Sequence, residues 1–194
     1  VVLSADGIAF DAVTKTERVP IRVNIPGGFM VYNTLDVLGA ALALGISLKD
    51  SAAVLAKVPH VQGRVEVVPT PGKDYTILID YAHTPDSMVN VLQTVKEFAK
   101  GRTVAVFGCG GDRDKTKRPR MGKAAADWSD FAVVTTDNPR TEEPAAIIRD
   151  ILPGFDGSNT PYEVVEDRVE AIRWAMDHAQ KDDVIVLCGK GHET

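Results

Sequence analysis

Residues 103–136 run TVAVFGCGGDRDKTKRPRMGKAAADWSDFAVVTT. An apolar run, a glycine-rich loop, a helical segment around Met121 to Trp128 and a second apolar run follow one another without interruption. Short continuous Val-rich runs suit strands buried on both faces, and a helix between two of them returns the chain parallel to its start. The alternation continues both ways from this stretch. Tyr75 to Tyr81 (YTILIDY) precedes it, with a helical segment from Pro85 to Lys100. After it come a helical segment from Glu143 to Leu152, a short strand at Tyr162 to Val165, a helix from Asp167 to Gln180 and a last run, Val184 to Cys188 (VIVLC). This pattern predicts a doubly wound α/β domain built on a parallel sheet.

Before residue 60 the rhythm differs. Val19 to Ile25 is β-like and leads through Pro26, Gly27 and Gly28 into an apolar helical stretch, Phe29 to Ile46. Asp50 and Ser51 suit the start of a second helix that runs to about Lys57. Gly63, Pro69, Pro71 and Gly72 place the domain boundary within residues 60–69.

With 44% hydrophobic and 25% charged residues in 194, the chain is globular rather than disordered. A net charge of −5 disfavours a broad nucleic-acid binder. No apolar run approaches the ~20 residues of a membrane helix, and VVLSADG does not read as a signal peptide. The two cysteines, Cys109 and Cys188, form no CxxC or zinc pattern; they read as buried, unreactive thiols in a reducing, cytoplasmic setting. No Ser or Cys sits in a nucleophile elbow, which argues against acyl-enzyme hydrolysis.

Ligands of open α/β sheets bind beyond the carboxyl ends of the strands. Four polar clusters stand there: Asp80 to Asp86, Gly108 to Asp114, Thr136 to Arg140 and Gly189 to Glu193. In the second, Gly108, Gly110 and Gly111 are expected to expose backbone N–H groups to an anion, ahead of a basic loop holding Arg113, Lys115, Lys117, Arg118 and Arg120. The loop is neither a P-loop nor a dinucleotide fingerprint, because GxxxxGK[ST] is absent and the third glycine of GxGxxG falls on Arg113. It reads instead as a carboxylate or phosphate site with Arg as the fork. Arg140 adds a second guanidinium and Glu193 an acceptor for ammonium, a combination that suits an amino acid. Asp80, His83 and Asp86 suit either a metal or a ribose.

DYAHTPDS, VFGCGGDRDKTKRPRMG, TTDNPRTEEP and GKGHE, in this order and spacing, closely resemble the Mur ligases, from roughly Gly27 to Glu193. The resemblance implies a Rossmann-like C-terminal, amino-acid-binding domain over residues 63–194. Residues 1–62 would be the incomplete tail of the central ATP-binding domain. It implies an ATP-dependent amide ligase of peptidoglycan synthesis that works through an acyl phosphate, with ATP and Mg²⁺ in the full-length enzyme. The DNPR form is similar to members that add meso-diaminopimelate to UDP-N-acetylmuramoyl-L-alanyl-D-glutamate.

Carried over by motif, Arg113, Asn138 and Arg140 face one carboxylate of diaminopimelate, with Asp137 in the same turn. Gly189, through its carbonyl, and Glu193 face the ammonium at that end. Arg64, Asp80 and His83 lie near the ribose and phosphates of ATP, and Asn33 contacts adenine. The resemblance assigns this stretch no catalytic residue and no metal ligand. It implies small-molecule partners, no nucleic acid, no membrane and a monomer. Met30 departs from the family pattern, which usually has Asn there. The family's GKT phosphate loop precedes the matched region, so the 194 residues read as a fragment inactive by itself. A lysine-adding or other ligase of the superfamily, or a non-enzymatic amino-acid-binding module, are the alternatives.

Overall fold

A computed structural model describes residues 1–4, 6–59 and 61–191. The chain divides into two compact units, Val1–Val61 and Gln62–Thr194.

In the first unit, strands β1 (Val2–Ser4), β2 (Gly7–Val13) and β3 (Arg18–Val23) form an antiparallel sheet in that order. Alternate residues of β3 are buried, and Val19, Ile21 and Val23 pack with Ile8, Leu38 and Leu48 of the neighbouring elements. Helices α1 (Phe29–Ala43) and α2 (Leu48–Leu55) complete the unit. The second helix starts earlier than Asp50: Ser47 is its N-cap and accepts from the Asp50 N–H at 3.1 Å. Strands β1 and β2 carry no signal strong enough to be read from the sequence, being short and cut by Gly7.

The second unit holds a six-stranded sheet of order β4-β5-β9-β6-β7-β8. Its strands are β4 (Glu66–Val68), β5 (Thr76–Asp80), β6 (Thr103–Phe107), β7 (Phe131–Val134), β8 (Tyr162–Val164) and β9 (Val184–Cys188). All pairings are parallel except β4 with β5, so the sheet is mixed, with an antiparallel edge that the sequence reading did not foresee. Helices α3 (Pro85–Lys96), α4 (Lys117–Trp128), α5 (Pro144–Ile151) and α6 (Arg168–Asp177) alternate with the strands.

Side-chain alternation explains the double winding. Ala105, Phe107, Ala132 and Val134 join the core beneath α3, α4 and α5, where Leu92, Met121 and Ile148 are buried. Val104, Val106, Val133 and Ile185 point the other way and pack with Ala171 and Ala175 of α6. Each fully buried side chain of this kind contributes about 1.5–3 kcal/mol. A helix-covered sheet therefore needs apolar residues at every position of its central strands.

Candidate functional site

The loops after β5, β6, β7 and β9 enclose a cleft of about 360 Å³ at the carboxyl ends of the strands, within the size range of small-ligand sites. His83, Arg113, Asp137, Asn138, Arg140 and Gly189 all line it. Tyr81, Lys117 and Cys109 line it as well.

The glycine loop owes its composition to close packing. A Cβ on Gly108 would strike the Thr135 carbonyl oxygen, and one on Gly111 would strike that of Pro139. The Gly111 N–H donates to the Asn138 carbonyl at 2.8 Å, and the Asp112 N–H to Glu142 Oε1 at 2.7 Å. These two N–H groups are thus consumed within the protein. The expectation that the loop offers its amides to an anion is corrected in that respect; the cationic side chains supply the positive charge.

The turn after β7 is pinned to that loop. Arg140 Nη1 donates to the Gly111 carbonyl at 2.8 Å. Asp112 accepts from the Thr141 N–H at 3.2 Å and from its hydroxyl at 2.8 Å. Asp112 and Arg140 both have left-handed backbones, with φ of 52° and 54°. Asp137 Oδ1 accepts from the Asn138 N–H at 2.6 Å. Its Oδ2 occupies the space a Cβ on Gly189 would take, and Gly189 has a φ of 110° that favours glycine.

The basic stretch after Arg113 is not all loop. Helix α4 starts at Lys117, and Arg118 is 1% exposed. Arg118 donates to both Glu142 oxygens, at 2.7 and 3.0 Å, and to Asp150 Oδ2 at 2.8 Å. That pairing, together with the Asp112 N–H and Lys115, holds the Glu142 carboxyl down to about 2. Lys117 Nζ reaches the His83 carbonyl at 2.9 Å.

On the β5 side, Asp80 is buried and accepts from the Val65 N–H at 2.9 Å and the Ala82 N–H at 2.8 Å. Burial raises its pKa, against the lowering pull of those two N–H groups and Arg64. Arg64 lies over the Tyr81 ring at 5.4 Å, and that ring meets His83 at 4.7 Å. His83 Nδ1 is engaged by the Tyr81 carbonyl at 2.8 Å. Asp80 and Arg64 therefore flank the cleft through Tyr81 and His83. Helix α3 opens beside them with Thr84 as N-cap, a capping box with Ser87, and Pro85 in the first turn.

The metal reading of Asp80, His83 and Asp86 is corrected. Asp80 is committed to backbone amides, and among the described residues no three His, Cys, Asp or Glu converge as metal ligands. Asn33 lies in the first unit, on α1, and donates to Met30 Sδ at 3.7 Å. Glu193 lies outside the described residues. Cys109 and Cys188 are free and buried, and burial pushes the Cys109 thiol up to about 12, so neither is a ready nucleophile. Sequence reasoning missed Glu142, which looks like one more surface acid in TEEP, and Arg168. Arg168 comes from α6 and donates to the carbonyls of Cys188 at 2.8 Å and Thr136 at 3.4 Å.

This fold, with a cleft at its strand ends bearing arginines on facing loops, defines a ligand-binding α/β domain. Residues 63–191 match the family "Mur ligase, glutamate ligase domain", and the chain belongs to the Mur ligase family. It is 50% identical over 188 residues, 96% of its length, to a Clostridium botulinum protein named UDP-N-acetylmuramoyl-L-alanyl-D-glutamate--2,6-diaminopimelate ligase. A Bacillus cereus protein of the same name is 47% identical over 194 residues. The chain spans 38% and 39% of these relatives' own lengths. A solved structure of a ligase of that name superposes with a TM-score of 0.74 at 37% identity, covering 98% of this chain and 39% of that one. The UDP-N-acetylmuramate-alanine ligase of Thermotoga maritima, with a TM-score of 0.71 at 23% identity over 96% of this chain and 40% of its own, shares the fold. No helix among the described residues is long and apolar enough to cross a membrane.

Proposed function

We propose that this chain carries the amino-acid-binding part of an ATP-dependent ligase that joins meso-diaminopimelate to UDP-N-acetylmuramoyl-L-alanyl-D-glutamate. The observation that supports it best is the pairing of Arg113 and Arg140 on adjoining loops facing one cleft. Two guanidinium groups match a carboxylate in charge and fork geometry. Asn138 donates to the same carboxylate. Asp137, the Gly189 carbonyl and Glu193 attract the ammonium beside it.

In the reaction, ATP is a substrate. Its γ-phosphoryl group passes to the D-glutamyl carboxylate, giving an acyl phosphate and releasing ADP as the bond to the β-phosphate oxygen breaks. The free amine at the other end of diaminopimelate attacks the acyl carbon, the C–N bond forms, the C–O bond to phosphate breaks, and the amine sheds a proton. The residues of this chain contribute positioning. By clamping the far end of the amino acid they hold its near amine within reach of the acyl carbon, the entropic part of catalysis. Arg64, Asp80 and His83 serve the nucleotide side, Asp80 by fixing the backbone that presents Tyr81 and His83. Mg²⁺, when bound, screens the phosphate charges.

Calorimetric titration of this chain with meso-diaminopimelate, L-lysine and L-ornithine tests the reading. Lysine and ornithine lack the second carboxylate, so diaminopimelate binds at least about tenfold more tightly. Equal binding of all three overturns the assignment.

A further inference from the structure

Arg118 is buried and does not line the cleft, yet its guanidinium holds Glu142, which links the two loops that carry the cleft's arginines. We infer that Arg118, through Glu142, is a positioning residue that sets Arg113 and Arg140 relative to each other. This inference rests on the reading of the cleft as a diaminopimelate site.

The connections are few and directional. Glu142 follows the turn that holds Arg140, and it receives both guanidinium nitrogens of Arg118, at 2.7 and 3.0 Å. The same carboxylate takes the N–H of Asp112, the residue before Arg113, at 2.7 Å. Asp112 in turn binds the backbone and hydroxyl of Thr141, the residue after Arg140. Glu142 is thus a bridge between the two loops, and Arg118, with Lys115 at 3.1 Å, aims it. Asp150, on α5, accepts at 2.8 Å from Nη1, the same nitrogen that donates to Glu142 Oε2.

Backbone conformation gives the bridge its purpose. Asp112 and Arg140 are non-glycine residues in the left-handed region, at φ of 52° and 54°. Such conformations persist only where surrounding contacts over-determine them. Here the contacts are the Arg118–Glu142 bridge and its Asp112–Thr141 extension, beside the Gly111 N–H on the Asn138 carbonyl and Arg140 Nη1 on the Gly111 carbonyl. Releasing the bridge leaves the Gly111 bonds as the remaining ties between the turns, so Asp112 and Thr141 loosen and the two guanidinium forks converge less well on one carboxylate.

Four proteins test this: the unaltered chain, Arg118→Lys, Glu142→Gln, and the double variant Arg118→Met/Glu142→Gln, which leaves no buried unpaired charge. Binding of meso-diaminopimelate is measured well below every melting midpoint, together with amide hydrogen exchange at Gly111, Asp112 and Thr141. We expect diaminopimelate affinity to fall about tenfold in all three variants, since displacing a binding group by ~1 Å already costs that much or more. Exchange at Asp112 and Thr141 accelerates in parallel. The double variant keeps most of the unaltered chain's thermal stability but not its affinity, a split that a merely structural role would not produce. Unchanged exchange and unchanged affinity in Glu142→Gln and Arg118→Lys overturn the inference. If the unaltered chain fails to bind diaminopimelate, the substrate reading falls; accelerated exchange of both loops in the variants then still upholds the bridge, and unaltered exchange sinks it.

Discussion

Val65 donates its N–H to Asp80 Oδ2 at 2.9 Å while standing at a φ of 43°, in the left-handed region. A β-branched residue there costs about 1–2 kcal/mol of backbone strain. Val65 is 4% exposed and belongs to the core under α3 and α4, and that burial returns about 1.5–3 kcal/mol. Burial outweighs strain, so Val65→Gly destabilises the domain even though it relieves the dihedral. Asp80→Asn destabilises it too, by about 1–3 kcal/mol, because an amide has one acceptor oxygen for two buried N–H donors. Urea unfolding of both variants checks this; a midpoint at or above that of the unaltered chain in either one contradicts it.

Arg140 bears on specificity. Its Nη1 is anchored on the Gly111 carbonyl at 2.8 Å, which fixes the fork in place. Arg140→Gly tolerates the φ of 54° without strain, so it tests the side chain alone. Diaminopimelate affinity falls about tenfold, since a hydrogen bond to a charged group is worth ~1.5–3 kcal/mol. Lysine, without the second carboxylate, loses nothing. Arg140→Lys rescues in part, because ammonium keeps the charge and loses the planar fork. Intact diaminopimelate binding in Arg140→Gly would reduce the DNPR turn to a structural element.

Acid stability has a definite sign. The Arg118 pairing holds the Glu142 carboxyl at about 2, below its ordinary 4.5. A depressed folded-state pKa stabilises above the unfolded value and loses that contribution as pH falls through the folded one. The melting-temperature gap between the unaltered chain and Glu142→Gln is therefore constant from neutral pH down to about 5, then narrows towards pH 2. A gap that widens on acidification contradicts the assignment.

Met30 stands on α1, its sulfur accepting from Asn33 Nδ2 at 3.7 Å. Part of its side chain packs on the core of the first unit. On the reading that Asn33 serves adenine, Met30→Asn in the complete ligase replaces a weak acceptor by an amide and tightens ATP binding. The gain is roughly two- to tenfold, the worth of one neutral hydrogen bond. Unchanged ATP affinity would detach this position from the nucleotide.

Much of the second unit was legible because its strands are uniformly apolar and its loops are polar. The runs 103–107 and 184–188 coincide with β6 and β9. What escaped was decided by tertiary contact. β4 (EVV) is too short for a periodic signal and exists because β5 offers it an edge. Arg118 reads as one of several loop cations, and only the fold brings Glu142 and Asp150, distant in sequence, to its guanidinium. The glycines at 108 and 111 signal a tight backbone correctly, but sequence cannot say whether an anion or the Pro139 carbonyl occupies the freed space.

The place of β9 has a consequence for how the second unit folds. This last strand inserts between β5 and β6, with Val186 opposite both Leu78 and Ala105. During synthesis β5 and β6 emerge long before their shared neighbour and cannot pair with each other at native spacing. Each then presents a bare, apolar edge, the kind of surface that recruits foreign strands. The sheet closes only once β9 has left the ribosome, so its central strands have little scope for stepwise pairing during synthesis.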